Sequence, residues 1–317
     1  MNHPAIPHPI TDLIARCGGV VVDGAMSTAL ESLGADLNDS LWSAKVLVEN
    51  PDLIRQVHLD YYRSGANVAI TASYQATAPG FAKKGIGEAE ARRLIALSVA
   101  LAKEAREAYL LENPAAKRED LLVAGAVGPY GAYLADASEY TGKYRLTRAE
   151  YEAFHAVRIE ALLSAEPDLL AIETQPRLDE IEAILGLLRD KPISAWVTMT
   201  LGEDGKLPDG TPVEEAARVL DAHPNVEAVG FNCLPQARVA DALKALGRGT
   251  SKPLIVYPNS GEIYDPTTKT WHHPPAGGKH WSDLVPLWRA AGARCIGGCC
   301  RTLPRDITEI AKLMAAR

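Results

Sequence analysis

The sequence predicts an α/β fold, a single (β/α)8 barrel with long loops at the C-terminal face of the strands. Three observations predict it. Eight short apolar runs alternate with amphipathic helical stretches along the chain, the pattern of a parallel sheet covered by helices. Connections after the runs are mostly long, whereas those leading back into them are mostly short and marked by Gly or Pro, as at Gly65, Pro167, Pro192, Pro224, Pro253 and Gly292, with 113–120 as the exception. No Gly-rich dinucleotide loop follows the first run, which disfavours the open doubly wound sheet that the same alternation would also allow. No linker, internal repeat or low-complexity segment divides the chain, so 1–317 reads as one domain.

The first run, 20–22, is three valines and stops at Asp23-Gly24; Ser27, Thr28 and an irregular stretch through Trp42 follow, giving a strand and a functional loop. Asn50-Pro51 opens a helix as cap and first-turn residue, Leu53, Ile54, Val57 and Tyr61 form its apolar face, and Gly65 closes it. His58 lies on that helix as a packed or exposed residue. The second strand, 68–72, ends in Ser73-Tyr74-Gln75, and its helix carries Leu94, Leu97, Leu101 and Ala105 at helical spacing. The third, 121–127, is closed by Gly128-Pro129-Tyr130 and a loop rich in Tyr, Gly and Asp, after which Thr147 and Glu150 form a capping box for a helix through Leu163. The fourth, 169–172, ends at Glu173-Thr174. The fifth, 193–199, leads into Gly202-Glu203-Asp204-Gly205, and Thr211-Pro212 starts the next helix. The sixth, 226–231, delivers Asn232 and Cys233. The seventh, 254–257, ends at Asn259-Ser260-Gly261 and a loop holding Trp271, His272 and His273; the eighth, 293–296, runs into Gly297-Gly298-Cys299-Cys300. Strand C-termini form the active face of such barrels. Asp23, Ser73, Tyr74, Glu173, Asn232, Cys233, Asn259, Cys299 and Cys300 would therefore ring one mouth.

With 47% hydrophobic and 23% charged residues the composition is that of a soluble globular protein, and a formal charge of −7 argues against a nucleic-acid surface. The first twenty residues carry prolines and histidines in place of a basic patch and apolar core, and no run has the length of a membrane span. Five cysteines with an adjacent pair fit a reducing compartment better than a disulfide framework, so the expected location is the cytoplasm.

The adjacent thiols carry the chemistry. Neighbouring side chains on a strand point to opposite faces, so Cys299 and Cys300 reach one centre only if the backbone turns, which the glycine pair permits. With Cys233 they would offer three thiolates from two strand ends, a set that suits zinc with one open position; a vicinal disulfide and an inert buried cluster remain as alternatives. Three thiolates give the metal a net charge of −1, poor for making hydroxide and suited to a soft ligand. A substrate thiol placed there would lose its proton at neutral pH, whereas a free thiol of pKa about 8.5 is only a few per cent ionised at pH 7. A helix beginning near 302–304 would turn its positive end towards the cluster. Alkyl transfer to sulfur is the natural reaction. The rivals are a barrel metallohydrolase, which would want His and carboxylate ligands and a His-x-His after strand one, and a non-catalytic zinc or thiol store, which would need no acidic, aromatic mouth.

Trp42, Tyr74, Tyr130 and Trp271 offer aromatic faces for a sulfonium or quaternary ammonium donor, or else ordinary loop packing. Asp23 and Glu173 could bind the amino group of an amino-acid thiol, with a turn role as the alternative for Asp23. Cys17 and Cys295 read as small apolar residues, and His272-His273 as solvated loop histidines in preference to a second metal site.

At these positions the sequence resembles the homocysteine S-methyltransferase family, nearly end to end. The stretches that carry the resemblance include Val22-Asp23-Gly24-Ala25, Leu41-Trp42-Ser43-Ala44, Thr71-Ala72-Ser73-Tyr74-Gln75, Val127-Gly128-Pro129-Tyr130-Gly131, Glu173-Thr174, Phe231-Asn232-Cys233, Tyr257-Pro258-Asn259-Ser260-Gly261-Glu262 and Gly297-Gly298-Cys299-Cys300. The resemblance implies a zinc-dependent barrel with Cys233, Cys299 and Cys300 as ligands, and Asp23 and Glu173 on homocysteine. Gly24, Trp42, Ser73, Tyr74, Tyr130, Asn232 and Asn259 complete the expected substrate contacts, and no residue acts as a catalytic base. The segments 257–262 and 128–144 look most like the bacterial branch that uses S-methylmethionine and often S-adenosylmethionine; betaine stays possible by chemistry alone. Gln175 departs from the pattern, where a more apolar residue is expected. The chain ends about where the barrel ends, which implies a free small-molecule donor; the oligomeric state is left open.

Overall fold

The computed structural model describes residues 5–39, 41, 43–265, 270–272 and 280–316. Ten strands occur among them: Val20–Val21 (β1), Val68–Ile70 (β2), Leu122–Val127 (β3), Leu169–Gln175 (β4), Ala195–Met199 (β5), Val226–Asn232 (β6), Leu254–Tyr257 (β7), Ile263–Asp265 (β8), Thr270–His272 (β9) and Ala293–Ile296 (β10). Eight of them form one parallel sheet in the order β1-β10-β7-β6-β5-β4-β3-β2. A parallel bridge between Val22 and Val68 joins its two edges, with Asn67 N donating to Val21 O (2.7 Å) and Asp23 N to Val68 O (3.1 Å), so the sheet closes into the expected barrel.

These segments form central strands because both faces are covered. Every residue of β3, β4, β5 and β6 is buried, as in parallel sheets wrapped by helices, where runs of Val, Ile, Leu and Ala satisfy two apolar environments at once. Two cores result. The larger lies between sheet and helices; the smaller fills the barrel with Leu122, Leu169, Trp196, Ile255 and Cys295 and is joined by Ile10 and Leu13. Those last two come from a helix, Pro9–Cys17, that the sequence reading did not anticipate. Its signals are present: Pro in the first turn, Asp12 near the N-terminus, and Gly18 at φ 78° as left-handed cap. Cys17 ends this helix and is exposed, contrary to its reading as a buried apolar residue, while Cys295 is fully buried.

The helix Pro51–Arg63 and the Thr147–Glu150 capping box on Arg148–Ser164 stand where the sequence places them. His58 is fully buried on the former; neither ring nitrogen has a partner, and burial pushes its pKa down to about 3. The stretch after β1 is less irregular than expected, since Met26–Ser32 and Ser43–Glu49 are helical. The loop after β7 contains an antiparallel hairpin, β8 with β9, in which Tyr264 opposes Trp271. Trp42 and His273 lie outside the described residues.

Candidate active site

The C-terminal ends of the strands surround a cavity of about 360 Å³, lined among others by Gly24, Tyr74, Glu173, Asn232, Cys233, Cys299 and Cys300. Three of these are the thiols. Cys233 follows β6 directly and takes a left-handed conformation (φ 52°), with its amide donating to Tyr257 O at 3.2 Å. Cys299 N donates to Pro258 O (2.8 Å), Ser260 N to Cys300 O (3.0 Å) and Gly298 N to Asp23 O (3.1 Å), so the turn after β10 is laced to the ends of β1 and β7. The glycines serve this turn by close approach, not by a left-handed backbone. A Cβ on Gly298 would sit 2.4 Å from Thr302 Oγ1, and one on Gly297 would sit 2.7 Å from Val22.

The sulfurs of Cys233, Cys299 and Cys300 lie within 4.8 Å of one another, with 3.5 Å between those of Cys233 and Cys300. Thiolates about 2.3 Å from a tetrahedral ion stand about 3.8 Å apart, so the trio fits zinc and leaves a side for a fourth ligand. All five cysteines are free, which removes the disulfide alternative from this structure. Hydrogen bonds from Cys233 and Cys299 hold the Cys300 thiol well below its ordinary range. Tyr140, which the sequence reading did not single out, donates its hydroxyl to Cys233 Sγ at 3.7 Å. No other group of three or more His, Cys, Asp or Glu side chains that could hold a metal occurs among the described residues, so the hydrolase alternative has no ligand set there.

Glu173 lines the cavity and is 7% exposed; Tyr257 donates to its Oε2 at 3.1 Å. Burial pushes its carboxyl up to about 7, against the opposing pull of Tyr257 and the Arg158 guanidinium. Asp23 is more deeply buried, at 2% exposure. Its Oδ2 accepts from Ile70 N (2.8 Å), and burial with the nearby Glu173 charge raises its carboxyl well above the usual range. Its neighbours Gly24 and Ile70 line the cavity; Asp23 itself is not among the lining side chains.

Asn232 is clamped to Thr174. Its Oδ1 accepts from Thr174 N and its Nδ2 donates to Thr174 Oγ1, both at 2.8 Å, which holds Thr174 at φ 60° beside Glu173. A left-handed threonine has no signature in sequence. Gln175, buried, donates to Val127 O (3.3 Å) and Glu173 O (3.2 Å) at the end of β4 and does not line the cavity.

Besides Asp23, three more expected contacts do not line the cavity. Ser73 is fully buried, its hydroxyl donating to Ala126 O (2.8 Å) and sharing a 2.7 Å hydrogen bond with Thr71. The Tyr130 ring packs against Tyr133, Tyr144 and Phe154, with centroids 4.9 to 5.6 Å away. Asn259 donates its backbone amide to Leu234 O (3.2 Å), and its Oδ1 is buried without a partner outside the lining set.

A buried network, also unanticipated, supports this side of the mouth. Arg158 donates to Tyr74 O (2.7 Å), Gly128 O (2.5 Å) and His155 Nδ1 (2.9 Å). Glu180 meets His155 Nε2 (2.8 Å) and accepts from Tyr130 N (2.6 Å) and Tyr144 OH (2.5 Å). The side chains of His155, Arg158 and Glu180 are at most 1% exposed, and since Glu180 comes from another helix, nothing in the sequence groups it with the other two.

A family model described as homocysteine S-methyltransferase matches residues 20–314. Homocysteine S-methyltransferase of Escherichia coli (strain K12) is 54% identical over 96% of this chain and 97% of its own length. Homocysteine S-methyltransferase YbgG of Bacillus subtilis (strain 168) is 49% identical over 96% and 97%. The metallated form of the E. coli homocysteine methyltransferase MmuM superposes with a TM-score of 0.87 at 50% identity, covering 96% of this chain and 99% of that one.

Proposed function

Because the chain belongs to the homocysteine S-methyltransferase family, we propose that it transfers a methyl group from a small sulfonium, S-methylmethionine and in second place S-adenosylmethionine, to the thiolate of L-homocysteine, giving methionine. The whole chain, 1–317, acts as one homocysteine-binding barrel domain, in the cytoplasm, where three free thiols persist. No helix among the described residues is long and apolar enough to cross a membrane. The observation that carries the reading is the convergence of three sulfurs from β6 and the turn after β10 in a cavity that also holds Glu173 and Tyr74.

Cys233, Cys299 and Cys300 would hold zinc. Zinc there would supply the pull that strips the acceptor thiol of its proton at neutral pH. Glu173, braced by Tyr257, takes the α-ammonium of homocysteine, and Asp23, behind the lining, fixes the backbone of Ile70 through its carboxyl. Asn232 acts as a positioning residue through Thr174. Tyr74 offers an aromatic face to the donor. The homocysteine sulfur forms the new bond to the methyl carbon as the old carbon–sulfur bond breaks, and that electron pair stays on the leaving sulfur. No side chain has to accept a proton in that step, so alignment and exclusion of water are the protein's part.

A competition assay offering S-methylmethionine, S-adenosylmethionine and betaine with homocysteine tests this. Methionine should form fastest from S-methylmethionine and stop when zinc is removed; turnover that survives complete zinc removal, or that prefers betaine, refutes the reading.

A further inference from the structure

Among the described residues, Asp39, Glu139 and Glu173 are the carboxylates lining the cavity, and no Lys, Arg or His lines it. Two of the three have partners that account for them. Asp39 pairs with Lys84 at 2.7 Å and accepts from Leu41 N at 2.9 Å; Glu173 accepts from Tyr257 and feels Arg158. Glu139 differs: its Oε2 is buried and has no hydrogen-bond partner. Glu139 is half-buried, and an oxygen shut off from water without a donor is costly, so burial raises the Glu139 pKa against the pull of its own backbone amide. A ligand that brings its own positive charge removes the mismatch.

The placement of Glu139 is specific. It lies in the short helix Ser138–Thr141, next to Tyr140, whose hydroxyl reaches Cys233 Sγ, and close enough to Cys300 and Tyr74 to interact electrostatically with both. Glu173 lies on another segment, two residues before the end of β4. Two carboxylates therefore face one sulfur centre, one from a loop helix and one from a strand, as suits a reaction between two amino-acid-like substrates.

Resting on the methyl-transfer reading above, we propose that Glu139 is the specificity-determining carboxylate for the methyl donor, pairing with the positive sulfur of a sulfonium while Glu173 serves the acceptor. Transfer erases that charge, because the bond pair left on the donor sulfur turns the sulfonium into a neutral thioether. Glu139 therefore attracts the donor, holds the demethylated product less tightly, and adds little to bond-making, since the charge is already dispersing in the transition state.

The test uses the zinc-loaded full chain, wild type and Glu139→Gln, with each substrate varied in turn and with binding of trimethylsulfonium measured by calorimetry. In Glu139→Gln the donor KM should rise about tenfold or more while the homocysteine KM stays within about twofold, and trimethylsulfonium should bind correspondingly more weakly. Glu139→Asp, which keeps the charge at shorter reach, should fall between, and its donor KM decides the matter should the amide variant not fold. An unchanged donor KM, equal rises in both KM values, or trimethylsulfonium binding indifferent to the substitution overturns the proposal. The cation's binding is read without turnover. A wild-type chain that binds it through Glu139 yet transfers no methyl group refutes the function above and keeps this inference; normal turnover indifferent to Glu139 does the reverse.

Discussion

The two sides of the mouth are built differently. On the side of β6, β7 and β10 the thiols sit on turns tied by main-chain hydrogen bonds to strand ends, and the glycines there leave no space for a side chain. On the side after β3 the wall is the short helix Ser138–Thr141, flanked by left-handed Ala135 and Ala137, and it is held from behind by Glu180 and Arg158 through Tyr130, Tyr144, Tyr74 and Gly128. One side is fixed by backbone and the other by side chains. The contrast teaches where change is tolerated: the reactive centre has one geometry, whereas the facing wall can be retuned through residues that never touch the sulfurs.

The largest effect should come from the fixed side. Cys300→Ser should lose zinc, measured by metal analysis after dialysis, and activity by more than about a hundredfold, beyond the cost typical of removing a group behind the ligands. Retention of stoichiometric zinc with full activity would break the contrast at its strongest point.

Next is Glu173→Gln, expected to raise the homocysteine KM by about tenfold to a hundredfold while zinc is kept. It carries a pH signature. The folded pKa of about 7 lies above the ordinary glutamate value of 4.5, so ionising Glu173 opposes folding: the penalty is absent below about pH 4.5, grows as pH rises to 7, and is full above it. Thermal unfolding of the metal-depleted variant should therefore gain over wild type at pH 8, by about 3 kcal/mol, and little at pH 4.5. Equal gains at both values would show that the carboxyl is not the cause.

Smaller and more local is Gly131→Ala. The added carbon would lie 2.6 Å from Glu139 N and 2.7 Å from the Tyr144 ring, so the Ser138–Thr141 turn must shift. Donor KM should rise several-fold with zinc content unchanged; loss of zinc would mean that the two sides are not separable.

The smallest is Tyr140→Phe, which removes one long hydrogen bond to Cys233 Sγ from a residue 43% exposed. Zinc affinity should weaken by no more than about tenfold, read by chelator competition.

The barrel was legible because each run is apolar on both faces and ends in a polar or glycine residue at one end of the sheet. The three cysteines were legible for the same reason, since sequence places Cys233 directly after one strand end and Cys299 and Cys300 one glycine pair beyond another. Ser73 and Tyr130 follow strands too, yet their side chains are taken up by Ala126 O and by neighbouring rings, and which way a loop side chain turns is decided by partners far along the chain. Glu139, Tyr140 and the Arg158–His155–Glu180 network were missed on that account. They gain their meaning from contacts across tens of residues, with no periodicity to announce them.

The seam where the barrel closes is its thinnest part: β1 is two residues long, and only Val22 bridges to β2. Asp23 spans this seam, its backbone joined to Val68 O and Gly298 N and its carboxylate to Ile70 N. The seam should breathe more readily than β4 to β6, and the amides of Asn67 and Ile70 should exchange with deuterium ahead of those in the central strands. Removing the Asp23 carboxyl would quicken that exchange, loosening the cleft along the line where the barrel closes.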